Sequence, residues 1–240
     1  MSIYDILDNT KNIIFIIIGI IIIYMIFSYY FKSAVTLTSK YNAERKQVII
    51  SSMIPSNITS NYTYSLWFYV NDWNYKFGKE KILLQRQSDV NYFPKISLGN
   101  IENDILVNIA CFKNSQNNVA EYVNHRCNVT NVPLQKWVNL IITTHGRTLD
   151  IYIQGKLVKT CVLPGVPYTD NEQDIYVTPE GGFRGYTAKY QYLGNSINPQ
   201  QAYDIYKSGY GGSIFGDLFN KYKVKISYLK DNEERGSIEI

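Results

Sequence analysis

Nineteen consecutive residues, 13–31, read IIFIIIGIIIIYMIFSYYF without a charge. As a helix they rise about 28 Å at ~1.5 Å per residue, enough for the hydrocarbon core of a bilayer. In lipid, a helix is the one way a single segment satisfies its own backbone. The pattern predicts a transmembrane anchor carried by Ile13, Phe15, Ile18, Ile22, Tyr24, Phe27, Tyr30 and Phe31, its tyrosines suited to the interface. A cleaved signal peptide and a buried core helix are the competing readings. The leader, 1–12, is net acidic in its side chains and the run ends in Tyr-Tyr-Phe, which speaks against cleavage.

Beyond the anchor the period changes to two. Residues 62–70 (YTYSLWFYV) place Tyr64, Leu66, Phe68 and Val70 on one face of a strand and Trp67 on the other. Runs at 81–85, 95–98, 105–112, 137–144, 149–153, 156–163, 174–177, 183–193 and 222–229 follow, punctuated by Gly78, Pro94, Gly99-Asn100, His145-Gly146 and Gln154-Gly155. Many short strands broken this way predict an all-β sandwich or barrel. Val48-Ile49-Ile50 predicts an edge strand, so the domain is expected over 48–240 with 32–47 as a polar connector. One helical pattern stands out, 198–207, with Asn198 as N-cap, Pro199 at the first helical position and Gly209 just past the end. In the last strand Lys221, Lys223 and Lys225 alternate with Tyr222, Val224 and Ile226, a pattern that blunts a sheet edge.

Composition agrees with strands: 15% of the chain is aromatic, 22 residues of it Tyr. The net charge of +4 is too mild and too dispersed for a nucleic-acid footprint, so no nucleic acid is expected among the partners. Its placement is more informative. Lys32, Lys40, Arg45 and Lys46 follow the span while Asp5, Asp8 and Lys11 precede it, a bias that puts the domain on the cytosolic side. The sequons at Asn57, Asn61 and Asn128 would be used only in the opposite topology.

Chemistry is scarce. A retaining glycosidase needs two carboxylates about 5 Å apart, and the nearest approach, Glu102-Asn103-Asp104, reads as a turn. Gly211 to Gly216 misses a nucleophile elbow by one position. His125 and His145, with no C-x-x-C pair, are too few for zinc. Neither catalysis nor a cofactor is expected. Of three cysteines, Cys127 and Cys161 are predicted to pair, both lying toward the His145-Gly146 end; free buried thiols remain the alternative, favoured by a cytosolic location. Trp73 and Tyr75, in the loop 71–77, are the candidate aromatics for stacking on a sugar or a partner, against packing at the core edge.

Three blocks carry a resemblance. QKWVNLIIT (135–143) followed by LDIYIQGKLV (149–158) is similar to the paired hairpins of concanavalin A-like, laminin-G-like domains, with Gln154 standing where Asn is usual. GFRGY (182–186) through YLGNSINPQQAYDIY (192–206) resembles the family's closing strand and short helix, and YSLWFYV (64–70) its first core strand. The resemblance implies a jelly-roll sandwich, here behind an N-terminal transmembrane helix. It also implies that Asp and Asn of 168–174 are candidates for Ca²⁺, against a solvated loop. With the anchor and the phrase CNVTNVPLQKWVNLIIT, the chain resembles membrane-anchored laminin-G-like proteins of nucleocytoplasmic large DNA viruses. That resemblance implies a minor capsid protein linking an internal virion membrane to the capsid, with a lipid bilayer and other virion proteins as partners. The alternative is a lectin-like surface protein that takes a glycan.

Overall fold

The computed structural model describes residues 17–23, 35–37, 40–54, 56, 59–89, 91–113, 121–210, 225–230 and 233–239. The chain divides into two units, Met1–Ala34 and Val35–Ile240. In the first, residues 17–23 are helical, and Ile18 and Ile22 are exposed. The other predicted anchor residues, Ile13, Phe15, Tyr24, Phe27, Tyr30 and Phe31, lie outside the described residues. Among those described, no helix is long and apolar enough to cross a membrane.

The second unit is built of strands β1 (Val35–Leu37), β2 (Tyr41–Asn42), β3 (Gln47–Ile49), β4 (Thr63–Asp72), β5 (Lys81–Ser88), β6 (Asn91–Leu98), β7 (Ile105–Lys113) and β8 (Glu121–Val129). It continues with β9 (Trp137–His145), β10 (Thr148–Ile153), β11 (Lys156–Val162), β12 (Ile175–Val177), β13 (Arg184–Leu193), helix α1 (Pro199–Lys207), β14 (Lys225–Lys230) and β15 (Glu233–Glu239). One sheet has the order β1-β13-β4-β9-β10-β11, with β2 also on β13; a second runs β3-β12-β5-β6-β7-β8; β14 and β15 pair with each other. All pairs are antiparallel.

The period-2 face of β4 does what the sequence predicts. Leu66 and Phe68 sit opposite Leu140 and Val138 of β9, and with Leu149 and Ile151 of β10 they meet Leu84, Ile96, Leu98, Val107 and Ile109 of the second sheet in one core. All are essentially inaccessible. Removing such a side chain to Ala costs about 2–5 kcal/mol.

The first sheet also buries part of its outer face. Ile141 and Tyr152 pack with Ile197 and Ala202 of the helical segment, supported by Leu193 and Ile205. With both faces covered, β9 reads as the near-continuous run VNLIITT rather than as an alternation. Helix α1 starts where predicted: the Asn198 side chain accepts from the Gln201 N–H at 2.9 Å while Gln201 Oε1 accepts from the Asn198 N–H at 2.9 Å. Past its end, Tyr210 stacks on Trp137 with ring centroids 4.5 Å apart, and Tyr206 stacks on Trp67 at 5.7 Å.

Several boundaries differ from the sequence reading. The polar stretch 32–47 contributes β1 and β2 to the first sheet, where β13 supplies the pairing. Pro94, read as a break, lies inside β6, opposite the register shift between Gln85 and Gln87, where no ladder N–H is required. Residues 222–224 of the last predicted strand lie outside the described residues, and β15 follows it.

Candidate functional site

A groove of about 430 Å³ opens on the outer face of the first sheet, beside the start of α1. Alternation along β10 creates it. Leu149 and Ile151 point into the core, so Thr148, Asp150 and Tyr152 take the outer face and line the groove. His145 at the end of β9, Leu157 of β11, residues 196–199 and Gln201 complete the walls.

The loop before α1 is fastened to the sheet by hydroxyls. Thr63 and Thr143 share a hydrogen bond at 2.8 Å, Thr143 Oγ1 accepts from the Ile197 N–H at 3.2 Å, and Thr63 donates to the Asn195 carbonyl at 2.8 Å. That wall is therefore preformed. The capping box engages the amide oxygens of Asn198 and Gln201 once each, and the NH₂ group of each remains to donate to a ligand. Asp150 Oδ1 accepts from Thr160 at 2.5 Å, which leaves Oδ2 as an acceptor. Burial, with the Asp150 charge adding to it, pushes the Tyr152 phenol above its ordinary pKa and keeps it neutral. Tyr152, Leu157 and Ile197 supply apolar surface. Separated donors, one carboxylate and an apolar floor suit a hydroxyl-rich, largely uncharged ligand.

The groove contains Ser196, His145 and Asp150, yet they form no relay. His145 Nδ1 contacts Ser196 Oγ at 3.3 Å, while Asp150 is held by Thr160; a triad needs the base oriented by the acid. Asp150 is the single carboxylate lining the groove, and glycoside hydrolysis uses two.

A family profile described as Laminin_G_3, Concanavalin A-like lectin/glucanases superfamily, matches residues 42–193. The chain belongs to this superfamily. Among solved structures, this concanavalin A-like domain is similar to the binding domain of botulinum neurotoxin DC in complex with rat synaptotagmin II, with a TM-score of 0.53 and 15% identity over 74% of this chain and 43% of that one. The same toxin's binding domain in complex with SialylT gives 0.51 and 13% over 73% and 46%, and the binding domain of botulinum neurotoxin serotype D gives 0.52 and 14% over 73% and 42%. The chain spans less than half the length of these structures, and at such identity the likeness is one of fold. A search of curated proteins found no match.

On the concanavalin A-like frame, the residues singled out from sequence fall in separate places. Trp73 is half-buried against the core, donating Nε1 to the Ile101 carbonyl at 2.8 Å, with the Lys81 ammonium 4.3 Å over its ring. Tyr75 donates to the Gly181 carbonyl at 3.3 Å and lies under Arg184. Both are engaged by their own chain, and neither lines the groove. Glu102 and Asp104 form the turn between β6 and β7, Asp104 N–H donating to the Glu102 carbonyl at 2.8 Å. In the loop raised for Ca²⁺, Asp170 accepts from the Glu172 N–H within the loop and Asp174 from the Ser51 N–H of a distant segment, both structural roles. Among the described residues, no group of three or more His, Cys, Asp or Glu could hold a metal ion. Cys127 of β8 and Cys161 of β11 are joined, with Cα atoms 6.3 Å apart. Cys111 is free and buried.

Sequence reasoning did not find the groove. Its walls come from four segments that each look ordinary, and the one local signal was the N-cap at Asn198.

Proposed function

We propose that the chain is a membrane-tethered, non-catalytic structural and interaction protein. Residues 13–31 hold it in a bilayer, and the concanavalin A-like domain engages protein partners, as a minor capsid component between an internal virion membrane and the capsid would. The observation that carries this reading is the uncharged stretch of nineteen residues placed before a concanavalin A-like sandwich whose fold is similar to that of a toxin binding domain. The basic residues after the span support a sandwich on the cytosolic, capsid-facing side. Purified particles test the proposal: the protein should remain with them through salt washes and leave only with detergent. Its absence from particles would end the capsid assignment.

A second reading, glycan binding, is favoured by the groove beside α1. One of the toxin domains similar in fold is in complex with SialylT. In that reading the sandwich faces a lumenal or external space, Cys127 and Cys161 stay oxidised, and the exposed Asn128 carries a glycan. A glycan array probed with the wild type and with Asp150→Ala decides it: binding abolished by the substitution supports the groove, and silence of the wild type rejects it.

A further inference from the structure

Arg86 is 2% exposed, among the largest fully enclosed side chains of the sandwich. Its Nε donates to the Gln173 carbonyl at 2.9 Å, and its Cζ lies 5.9 Å from the Tyr192 ring and 5.6 Å from that of Phe93. Among the described residues, no carboxylate lies within ion-pair distance of it. A buried cation without a counter-charge is costly, and proteins compensate such a charge or lose it. A guanidinium does not lose its proton.

Four tyrosines stand beside it in the same core, Tyr62 just before β4, Tyr64 within β4, and Tyr190 and Tyr192 of β13. Tyr64 is central, its ring 5.3 Å from Tyr62, 4.9 Å from Tyr192 and 6.3 Å from Tyr190. The Tyr64 hydroxyl donates to the Phe93 carbonyl at 3.3 Å and is also engaged by the Arg86 guanidinium. The hydroxyls of Tyr62 and Tyr190, and Nη2 of Arg86, are buried without a hydrogen-bond partner. Burial pushes both phenols well above their ordinary pKa, with the Arg86 charge acting on each in the opposite sense, so both remain protonated donors within reach of its field. Three orphaned donors and one positive charge without a carboxylate partner among the described residues occupy one region of the core. A single water accepts two hydrogen bonds and brings no charge; a halide accepts three or more and neutralises the cation.

We propose that the interior of the sandwich holds a small monovalent anion of the chloride class between Arg86, Tyr62 and Tyr190. The ion is structural. It completes the core and is remote in kind from the hydroxyl-rich ligand suited to the groove.

The test is thermal unfolding of the full chain in detergent, with sodium chloride or bromide exchanged for sodium gluconate at constant ionic strength. The midpoint temperature should rise saturably with halide. Tyr62→Phe, which keeps the ring and removes one donor, should raise the half-saturating halide concentration about tenfold, the worth of one hydrogen bond to a charged group. Arg86→Met should abolish the dependence, and if that variant does not fold, Tyr62→Phe and Tyr190→Phe still carry the test. Bromide-soaked crystals should show an anomalous peak between the three side chains. Equal midpoints in halide and gluconate would overturn the proposal, as would a halide effect identical in Tyr62→Phe, Tyr190→Phe and wild type, or a water in place of the bromide peak.

Discussion

Cys127 and Cys161 join the two outermost strands on one side of the sandwich, β8 of one sheet and β11 of the other, across 34 residues of chain. Among the described residues neither strand has a second neighbour in its sheet, so the bond joins two strand edges that hydrogen bonding does not connect. On the chain-entropy estimate, a loop of that size is worth ~4 kcal/mol through restriction of the unfolded state. Reduction, or Cys127→Ser, should lower the unfolding free energy by up to that amount, and Cys161→Ser should match it. Urea melts with and without reductant check this; equal midpoints would show that the bond adds nothing.

Gly155 has two reasons to be glycine. Its φ of +70°, after Gln154 at +53°, makes the two-residue turn between β10 and β11. A Cβ there would also stand 2.9 Å from Tyr206 Cβ and 3.1 Å from Tyr203 Cα, inside the packing of α1 on the turn. Gly155→Ala should therefore cost more than the ~1–2 kcal/mol of a left-handed L-residue, and it should disturb α1, read as a change in near-ultraviolet circular dichroism from Tyr206 and Trp67.

Asn198→Ala should cost about 1 kcal/mol, the usual worth of an N-cap, with Gln201→Ala weaker because it removes only the reciprocal bond. If the groove takes a ligand, Asn198→Ala should also weaken binding beyond its effect on stability, since the cap is one wall. Comparing chemical denaturation with ligand titration of the same variant separates the two.

Glu80 reports on acid sensitivity. Burial alone would raise its pKa, but hydrogen bonds from Lys95 at 2.7 Å and Ser97 at 2.6 Å outweigh that and hold it below the usual 4.5. A depressed folded-state value contributes stability that is complete above 4.5 and is lost as pH falls from there through the folded value. The wild type should thus lose its advantage over Glu80→Gln in that interval and not at neutral pH. Melting temperatures of both proteins from pH 7 down to 3 provide the check; a constant difference would contradict the assignment.

The elements legible in the sequence are those whose two faces differ or whose turns are spelled out. In β4, Tyr64, Leu66, Phe68 and Val70 alternate with outward residues; Gln154-Gly155 marks the hairpin of β10 and β11; Asn198-Pro199 marks the helix start. β8 went unread because its sequence, EYVNHRCNV, is that of a mostly exposed edge strand with Cys127 and Val129 as its buried positions. Arg86 went unread because the apolar run that identifies β5 stops before it, and a lone arginine gives no hint that it turns inward. The groove depends on β9, β10, β11 and the segment leading into α1 meeting in space, which no local pattern encodes. Trp73 and Tyr75 looked available because they are loop aromatics, and the carbonyls of Ile101 and Gly181 claim them.

Membrane attachment by residues 13–31 is the claim on which the functional account stands. Flotation of the full chain with lipid vesicles after an alkaline carbonate wash tests it most directly, with Ile18→Lys/Ile22→Lys as the comparison, because charges at mid-span are expensive in hydrocarbon. The account predicts that the wild type floats until detergent is added and that the double variant stays in the aqueous fraction. Recovery of the intact wild-type chain in that aqueous fraction, with its first 34 residues present, would contradict it.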